Sequence, residues 1–349
     1  MSGWCPVDAL HGRILFSDYD STELFVSSPV PGEVRRLPVL LHLGRYSWSA
    51  ALLCATAGCD HLDCSGAFVV VLVGTYTVTG TTSAYIYSSE QHEWSTPTSI
   101  KGCTVEGVKR PSARVGNTVY FICKRSTKLL AYELCKREVS FVSIPSTCWS
   151  YSFTVFATAD EGRLGFATAE WFRLFTWSRE AGSLDGDAGW TQQRVFEIDK
   201  LLPSSTLSYQ YDFFATTNSG VIVVKGNSVL FAIDLKSGEM KKLLDGSAVR
   251  SISDVVPYIG FCTPSSHQYN FASICRQCCS RRQCGTQVQD SEMDAVKYGT
   301  MIADGVVAVG VVVDTAKVVD GEVDHGDVGD GTVKPSAVVQ SMLWWRTAW

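Results

Sequence analysis

Apolar runs along the chain are short, and nearly every one ends at a step of glycine, asparagine, serine or aspartate. Such a pattern predicts strands closed by tight turns, and no apolar face is sustained at helical spacing for more than about three turns. One unit recurs: a glycine, an apolar strand, a gap, a second apolar or aromatic strand, a turn and a third strand. It reads GRILF…TELFVSS…GEVRRLP from Gly12 and GAFVVVLVG…SAYIYSS…HEWSTP from Gly66. It returns as GNTVYFI…KLLAYEL…EVSFVSIP from Gly116 and as GRLGFAT…WFRLFTWS…WTQQRVFEI from Gly162. The last copy is GVIVVK…VLFAIDL…EMKKLLD from Gly220, so successive starts are 54, 50, 46 and 58 residues apart.

A further strand usually precedes the glycine, as in AALLCATAG (50–58) and YSFTVFATAD (151–160). Four antiparallel strands repeated at this period predict an all-β, kelch-like β-propeller of four-stranded blades. Gly116-Asn117, Asn218-Ser219-Gly220 and Ser237-Gly238 supply the left-handed turn conformations that hairpins need. Continuous apolar strands are expected inside each blade, and strands such as EMKKLLD at its wet outer edge. The alternative for the same pattern is a β-sandwich with irregular loops. Five copies are clear, and SISDVVPYIGFCTP (251–264) reads as the first strand of another. Five blades or an incomplete six-bladed ring both fit this count, the second leaving an unpaired edge.

Composition changes the picture mainly at the C-terminal end. Of 349 residues, 46% are hydrophobic and 19% charged, enough for a sizeable core. The net charge of −5 argues against a nucleic-acid binder driven by bulk electrostatics. The runs AFVVVLV (67–73) and VVAVGVVV (306–313) are far shorter than the ~20 residues of a spanning helix. No charged-then-apolar leader opens the chain, so no signal peptide is expected. Thirteen cysteines without an N-x-S/T sequon predict reduced thiols of a cytoplasmic or nuclear protein. Beyond residue 285 the chain carries four basic against ten acidic residues, and 304–333 is mostly Val, Gly and Asp. The expected division is a propeller over 1–270 and a low-complexity, disordered tail over 271–349.

Candidate chemistry is sparse. Cys59, His61 and Cys64 form C-x-H-x2-C, zinc-type donors at an unusual spacing with no evident fourth ligand. Cys275, Cys278, Cys279 and Cys284, with His267 upstream, form a second thiol cluster, too compact to wrap a tetrahedron easily. The Asp185, Asp187 and Gly189 loop lacks the further carboxylates and closing Glu of a calcium site. There is no G-x-S-x-G, no H-E-x-x-H (His92-Glu93 is followed by Trp94-Ser95-Thr96), no G-x-G-x-x-G and no phosphate-binding lysine loop. No catalytic, metal or cofactor residue is therefore assigned, and no cofactor is expected. The pairs Lys109-Arg110, Lys124-Arg125 and Lys241-Lys242 read as isolated edge charges. Trp94, Trp149, Trp171, Trp177 and Trp190 recur at blade positions and read as core packing, with any exposed one at the propeller mouth free to anchor a partner.

The ordered stretches HGRILF (11–16), WSAALLCATAGCDHLDCSGAFVVVLVG (48–74), YSSEQHEWS (87–95), VGNTVYFI (115–122), GRLGFATAE (162–170), LFTWSRE (174–180), WTQQRVFEI (190–198), FAIDLKSGEMKKL (231–243) and VVPYIGFCTP (255–264) resemble the F-box-associated, kelch-like β-propeller proteins of grasses. The resemblance covers roughly 4–265 and rests on order and spacing. It implies a non-enzymatic module that presents a protein substrate for ubiquitination, its F-box docking the Skp-type adaptor of a cullin-RING ligase. That F-box is expected upstream, and the tail past 275 has no counterpart, so the chain reads as a truncated member. The alternatives are a propeller-fold enzyme, which needs ionisable groups converging at the channel, and a non-functional gene product.

Overall fold

The computed structural model describes residues 4–18, 23–28, 33–40, 45–56, 66–107, 112–124, 127–148, 153–156, 163–170, 172–179, 189–201, 212–215, 221–226, 228–246, 249, 252–262, 291–293, 296–303, 306–313 and 338–347. The strands at 153–156, 212–215 and everywhere beyond 251 are described by their backbone.

Five small antiparallel sheets form a five-bladed β-propeller, each sheet ordered as its strands follow in the chain. Blade 1 is β1 (Trp4–Leu10), β2 (Arg13–Asp18), β3 (Leu24–Ser28) and β4 (Glu33–Arg36). Blade 2 is β5 (Tyr46–Cys54), β6 (Phe68–Tyr76), β7 (Thr81–Ser88) and an outer strand split into β8 (Glu93–Trp94) and β9 (Thr98–Lys101). Pro97 sits in the split, where a residue without an N–H cannot pair. Blade 3 is β10 (Ala113–Val115), β11 (Thr118–Ile122), β12 (Lys128–Glu133) and β13 (Glu138–Ser143). Blade 4 is β14 (Phe153–Phe156), β15 (Leu164–Glu170), β16 (Arg173–Arg179) and β17 (Trp190–Glu197), followed by the one-turn helix α1 (Ile198–Leu201). Blade 5 is β18 (Asp212–Ala215), β19 (Val221–Lys225), β20 (Val229–Asp234) and β21 (Met240–Asp245).

The repeat glycine lies between the first and second strand of its blade. At the β1–β2 hairpin, His11 and Gly12 both hold positive φ, 49° and 73°, as a type I′ turn requires. The β10–β11 hairpin instead places Gly116 (φ 57°) at the first central position.

Alternation along each strand sends side chains to the two neighbouring blades, so the core is a series of layers between blades. Val7, Leu15, Val26, Leu52, Val70 and Tyr87 fill the layer between blades 1 and 2. Val71, Val119, Phe121 and Tyr132 fill the next, Phe166, Trp177 and Trp190 the one between blades 3 and 4, and Leu174, Phe196, Ile222 and Ile233 the last. Each fully buried aliphatic or aromatic side chain contributes about 1.5–3 kcal/mol. Outer strands are wet: β4 exposes every residue, and β21 has only half-buried and exposed positions.

A sixth sheet is built on a different plan. Its members are β22 (Ile252–Cys262), β23 (Ser291–Met293), β24 (Val296–Ala303), β25 (Val306–Val313) and β26 (Val338–Thr347), ordered β22-β26-β25-β24-β23. β22, read from sequence as the first strand of a further blade, stands beside β1 and β18. Ile14, Phe16 and Phe25, on the face of blade 1 turned away from blade 2, are buried. Most of the segment read as a tail, including 263–290 and 314–337, lies outside the described residues.

One cysteine pair departs from the expectation of reduced thiols. Cys103 and Cys123, 20 residues apart in sequence with Cα atoms 6.1 Å apart, are joined as a disulfide. Val105 pairs with Cys123 in an isolated antiparallel bridge, and that bridge brings the two Cβ atoms together.

Candidate interaction surface

Cys59, His61, Cys64, Asp185 and Asp187 lie outside the described residues, as do His267, Cys275, Cys278, Cys279 and Cys284. Lys109, Arg110, Arg125, Trp149 and Trp171 do too. Among the described residues no three His, Cys, Asp or Glu side chains group as a metal site would require. Lys124 is exposed, and Lys242 pairs with Asp245 at 2.7 Å on the outer strand of blade 5. Trp177 and Trp190 are core residues: their indole N–H groups donate to Thr168 Oγ1 (3.3 Å) and to the Ser143 carbonyl (2.8 Å). Trp94 is half-buried and donates to the Pro38 carbonyl at 2.8 Å, tying blade 2 to the connection from blade 1.

Two polar seams hold blade 2 in place. Asp8 sits on β1 at a bulge, where the pairing with β2 shifts register between Pro6 and Asp8. Its Oδ2 accepts the Leu52 N–H of β5 at 2.7 Å and its Oδ1 accepts its neighbour Ala9 N–H at 2.9 Å. The Ser112 side chain, just ahead of β10, also hydrogen-bonds to it. Innermost strands have one edge without a ladder partner, and Asp8 satisfies a donor on that edge. Burial pushes its pKa up to about 7, against the lowering effect of the Leu52, Ala9 and Ser112 hydrogen bonds. The second seam is Phe68, with the Arg13 guanidinium 5.2 Å and the Arg35 guanidinium 5.7 Å from its ring centre. Arg13 also donates to the Gly66 carbonyl, and Arg35 to the Ser89 carbonyl at 3.0 Å. Both seams bind blade 2 to its neighbours with their polar groups already engaged.

The opposite end of blade 2 is different. β6 and β7 are long, and their turn, Thr77–Gly80, is exposed throughout, with Val78 78% accessible. Register sets Tyr46 opposite Tyr76 and Trp48 opposite Gly74. The Tyr46 and Tyr76 rings are 5.2 Å apart and tilted by 42°. A Cβ on Gly74 would come within 3.3 Å of the Tyr46 ring and 3.7 Å of the Trp48 Cβ, so the glycine leaves room for Tyr46 to lie over the strand. Tyr85 packs on the same inter-blade layer as Trp48, and burial together with the nearby Tyr46 holds its hydroxyl above the usual tyrosine range. All four aromatics are half-buried. They offer flat apolar area already ordered by packing, with tyrosine and tryptophan side chains of the kind found at energetic centres of protein interfaces. The sequence reads Trp94, Trp149, Trp171, Trp177 and Trp190 as core packing, with any exposed one free to anchor a partner, and it does not single out Trp48. The tyrosines were missed, because the register of β5, β6 and β7 brings them together and each alone reads as an ordinary strand residue.

No protein-family profile and no curated protein matches this chain. Among solved structures, the WD40 domain of SCAP from fission yeast is similar at 10% identity over 99% of this chain and 96% of that one, with a TM-score of 0.41. A chain of the mitotic checkpoint complex is 9% identical over 99% of this chain and 88% of its own, with a TM-score of 0.41. A chain from a study of two prolyl endopeptidases is 11% identical with a TM-score of 0.40; the alignment covers 89% of this chain and spans 41% of that one. No helix among the described residues is long and apolar enough to cross a membrane.

Proposed function

We propose that this chain is a non-enzymatic protein-interaction module that binds a protein partner at the aromatic end of blade 2. The observation that supports this most is the ordered group Tyr46, Trp48, Tyr76 and Tyr85 beside the exposed Val78. Asp8, the buried carboxylate of the innermost strands, has both oxygens engaged in holding β1 and β5, a structural use of the group.

The resemblance to F-box-associated propellers extends the proposal. On that reading the partner is a protein destined for ubiquitination, and the module acts in the cytoplasm or nucleus, with no nucleic-acid or membrane partner. The Skp-type adaptor of a cullin-RING ligase is engaged through an F-box that has to be supplied from outside residues 1–349. Quantitative affinity capture with the wild-type chain and with the double variant Trp48→Ala, Tyr76→Ala tests the surface. The expected result is a defined set of proteins retained by the wild type and lost by the variant; identical captures would refute it. Mixing the purified chain with the Skp-type adaptor tests the extension, which expects no complex unless an F-box is fused ahead of Met1.

A further inference from the structure

The stretch from Gly102 to Gly107 carries the chain from the outer strand of blade 2 to the innermost strand of blade 3. Blade 2 grips it by side chains: Thr82 Oγ1 donates to the Cys103 carbonyl (2.8 Å), Thr75 Oγ1 accepts the Val105 N–H (3.1 Å), and Ser47 Oγ donates to the Val105 carbonyl (2.8 Å). Blade 3 grips it through two backbone bonds, Glu106 N–H to the Ile122 carbonyl (2.7 Å) and Lys124 N–H to the Thr104 carbonyl (2.6 Å). Among the described residues, the Cys103–Cys123 bond is the one disulfide across this junction. It closes a loop that contains β10, whose three residues pair only with β11, and Ser112, which reaches Asp8 of blade 1.

We propose that Cys103 and Cys123 form a reversible redox site, driven by a low-molecular-weight thiol–disulfide couple such as glutathione, whose state sets how firmly β10 is held. The two sulfurs are not equivalent. Cys123 is 3% exposed, whereas Cys103 is half-buried. An incoming thiolate therefore attacks Cys103 Sγ, forms a mixed disulfide there and releases the Cys123 thiolate. A second thiol attacks that mixed disulfide, leaves as oxidised glutathione and frees the Cys103 thiol. In the reverse, oxidising direction two protein thiols and one oxidised glutathione give the protein disulfide and two glutathione molecules. Reduction leaves the blade 2 grip intact and leaves blade 3 holding the stretch by its two backbone hydrogen bonds alone, so the expected change is local to residues 112–123.

The test uses the full chain equilibrated in glutathione buffers from fully reduced to fully oxidised, with peptide mapping under non-reducing conditions and hydrogen–deuterium exchange. The expected result is a Cys103–Cys123 peptide in oxidised buffer, the exposed Cys135 as the internal thiol control, and exchange over 112–123 about tenfold or more faster after reduction. Cys103→Ser is expected to exchange like reduced wild type in both buffers. A pair that stays dithiol under excess oxidised glutathione would overturn the proposal, as would identical exchange over 112–123 in the two redox states. Reduced wild type carries the comparison if the variant does not fold.

Discussion

The Asp8 carboxylate and the Leu52 amide, 2.7 Å apart, join the innermost strand of blade 1 to that of blade 2. An acid buried here binds its proton more tightly in the folded chain than in the unfolded one, with a folded pKa of about 7 against an ordinary 3.8. The stabilisation from that proton is complete below about pH 4 and is lost as pH rises towards 7. Denaturant unfolding of wild type is expected to lose roughly 2–4 kcal/mol between those limits relative to Asp8→Asn, which has no proton to lose. Parallel pH profiles for the two proteins would contradict this. Asp8→Ala leaves the Leu52 N–H without its acceptor and is expected to cost about 1–3 kcal/mol or more below about pH 4, a cost that shrinks as pH rises towards 7 because wild type loses stability there and the variant does not.

Phe68 is held by two arginines, and a double-mutant cycle measures that contact. Arg13→Met and Phe68→Leu are each expected to destabilise. Their coupling is expected at about 0.5–2 kcal/mol, because both groups are largely desolvated. Arg13→Lys should not rescue, since a point charge cannot both lie over the ring and reach the Gly66 carbonyl as the planar guanidinium does. Zero coupling in thermal or urea unfolding would show that the ring contact is incidental.

Trp190 meets Phe166 edge-on at 4.6 Å while its N–H bonds to Ser143 of blade 3. Trp190→Ala is expected to cost about 3–5 kcal/mol, and Trp190→Phe less, mainly the lost hydrogen bond. Calorimetric melting of the two variants checks the order; an unchanged midpoint for the alanine variant would mean that the layer between blades 3 and 4 does not stabilise the ring.

Much of the propeller was legible because each repeat begins at a turn glycine such as Gly12 or Gly116 and passes into strands buried on both faces, as Val70 and Val71 are. The sixth position was legible only as its first strand. Asp8 was not, since one acid among the apolar neighbours of WCPVDAL carries no pattern and its partners on other blades are 44 residues or more away. Cys103 and Cys123 have no spacing signal either, because the Val105 bridge makes them neighbours. Thirteen cysteines spread through the chain pointed to reduced thiols, and only the fold singles out one pair.

Removal of the sixth sheet offers another check. Ending the chain at residue 250 takes away β22, which lies beside β1, β2 and β18. The truncated chain is expected to bind a hydrophobic dye and to melt lower or without cooperativity. Unchanged melting without dye binding would mean that five blades close on themselves.

The interaction surface is tested most directly by site-specific photo-cross-linking in cells. A photoreactive residue at Val78 stands beside the blade 2 aromatics, and one at Val195, 45% exposed on β17, stands on a different blade as the control. A recurrent protein adduct from position 78 that is absent from position 195, and that disappears with Trp48→Ala and Tyr76→Ala, is the predicted result. Equal adducts from both positions, or a position 78 adduct indifferent to the aromatic substitutions, would contradict the account.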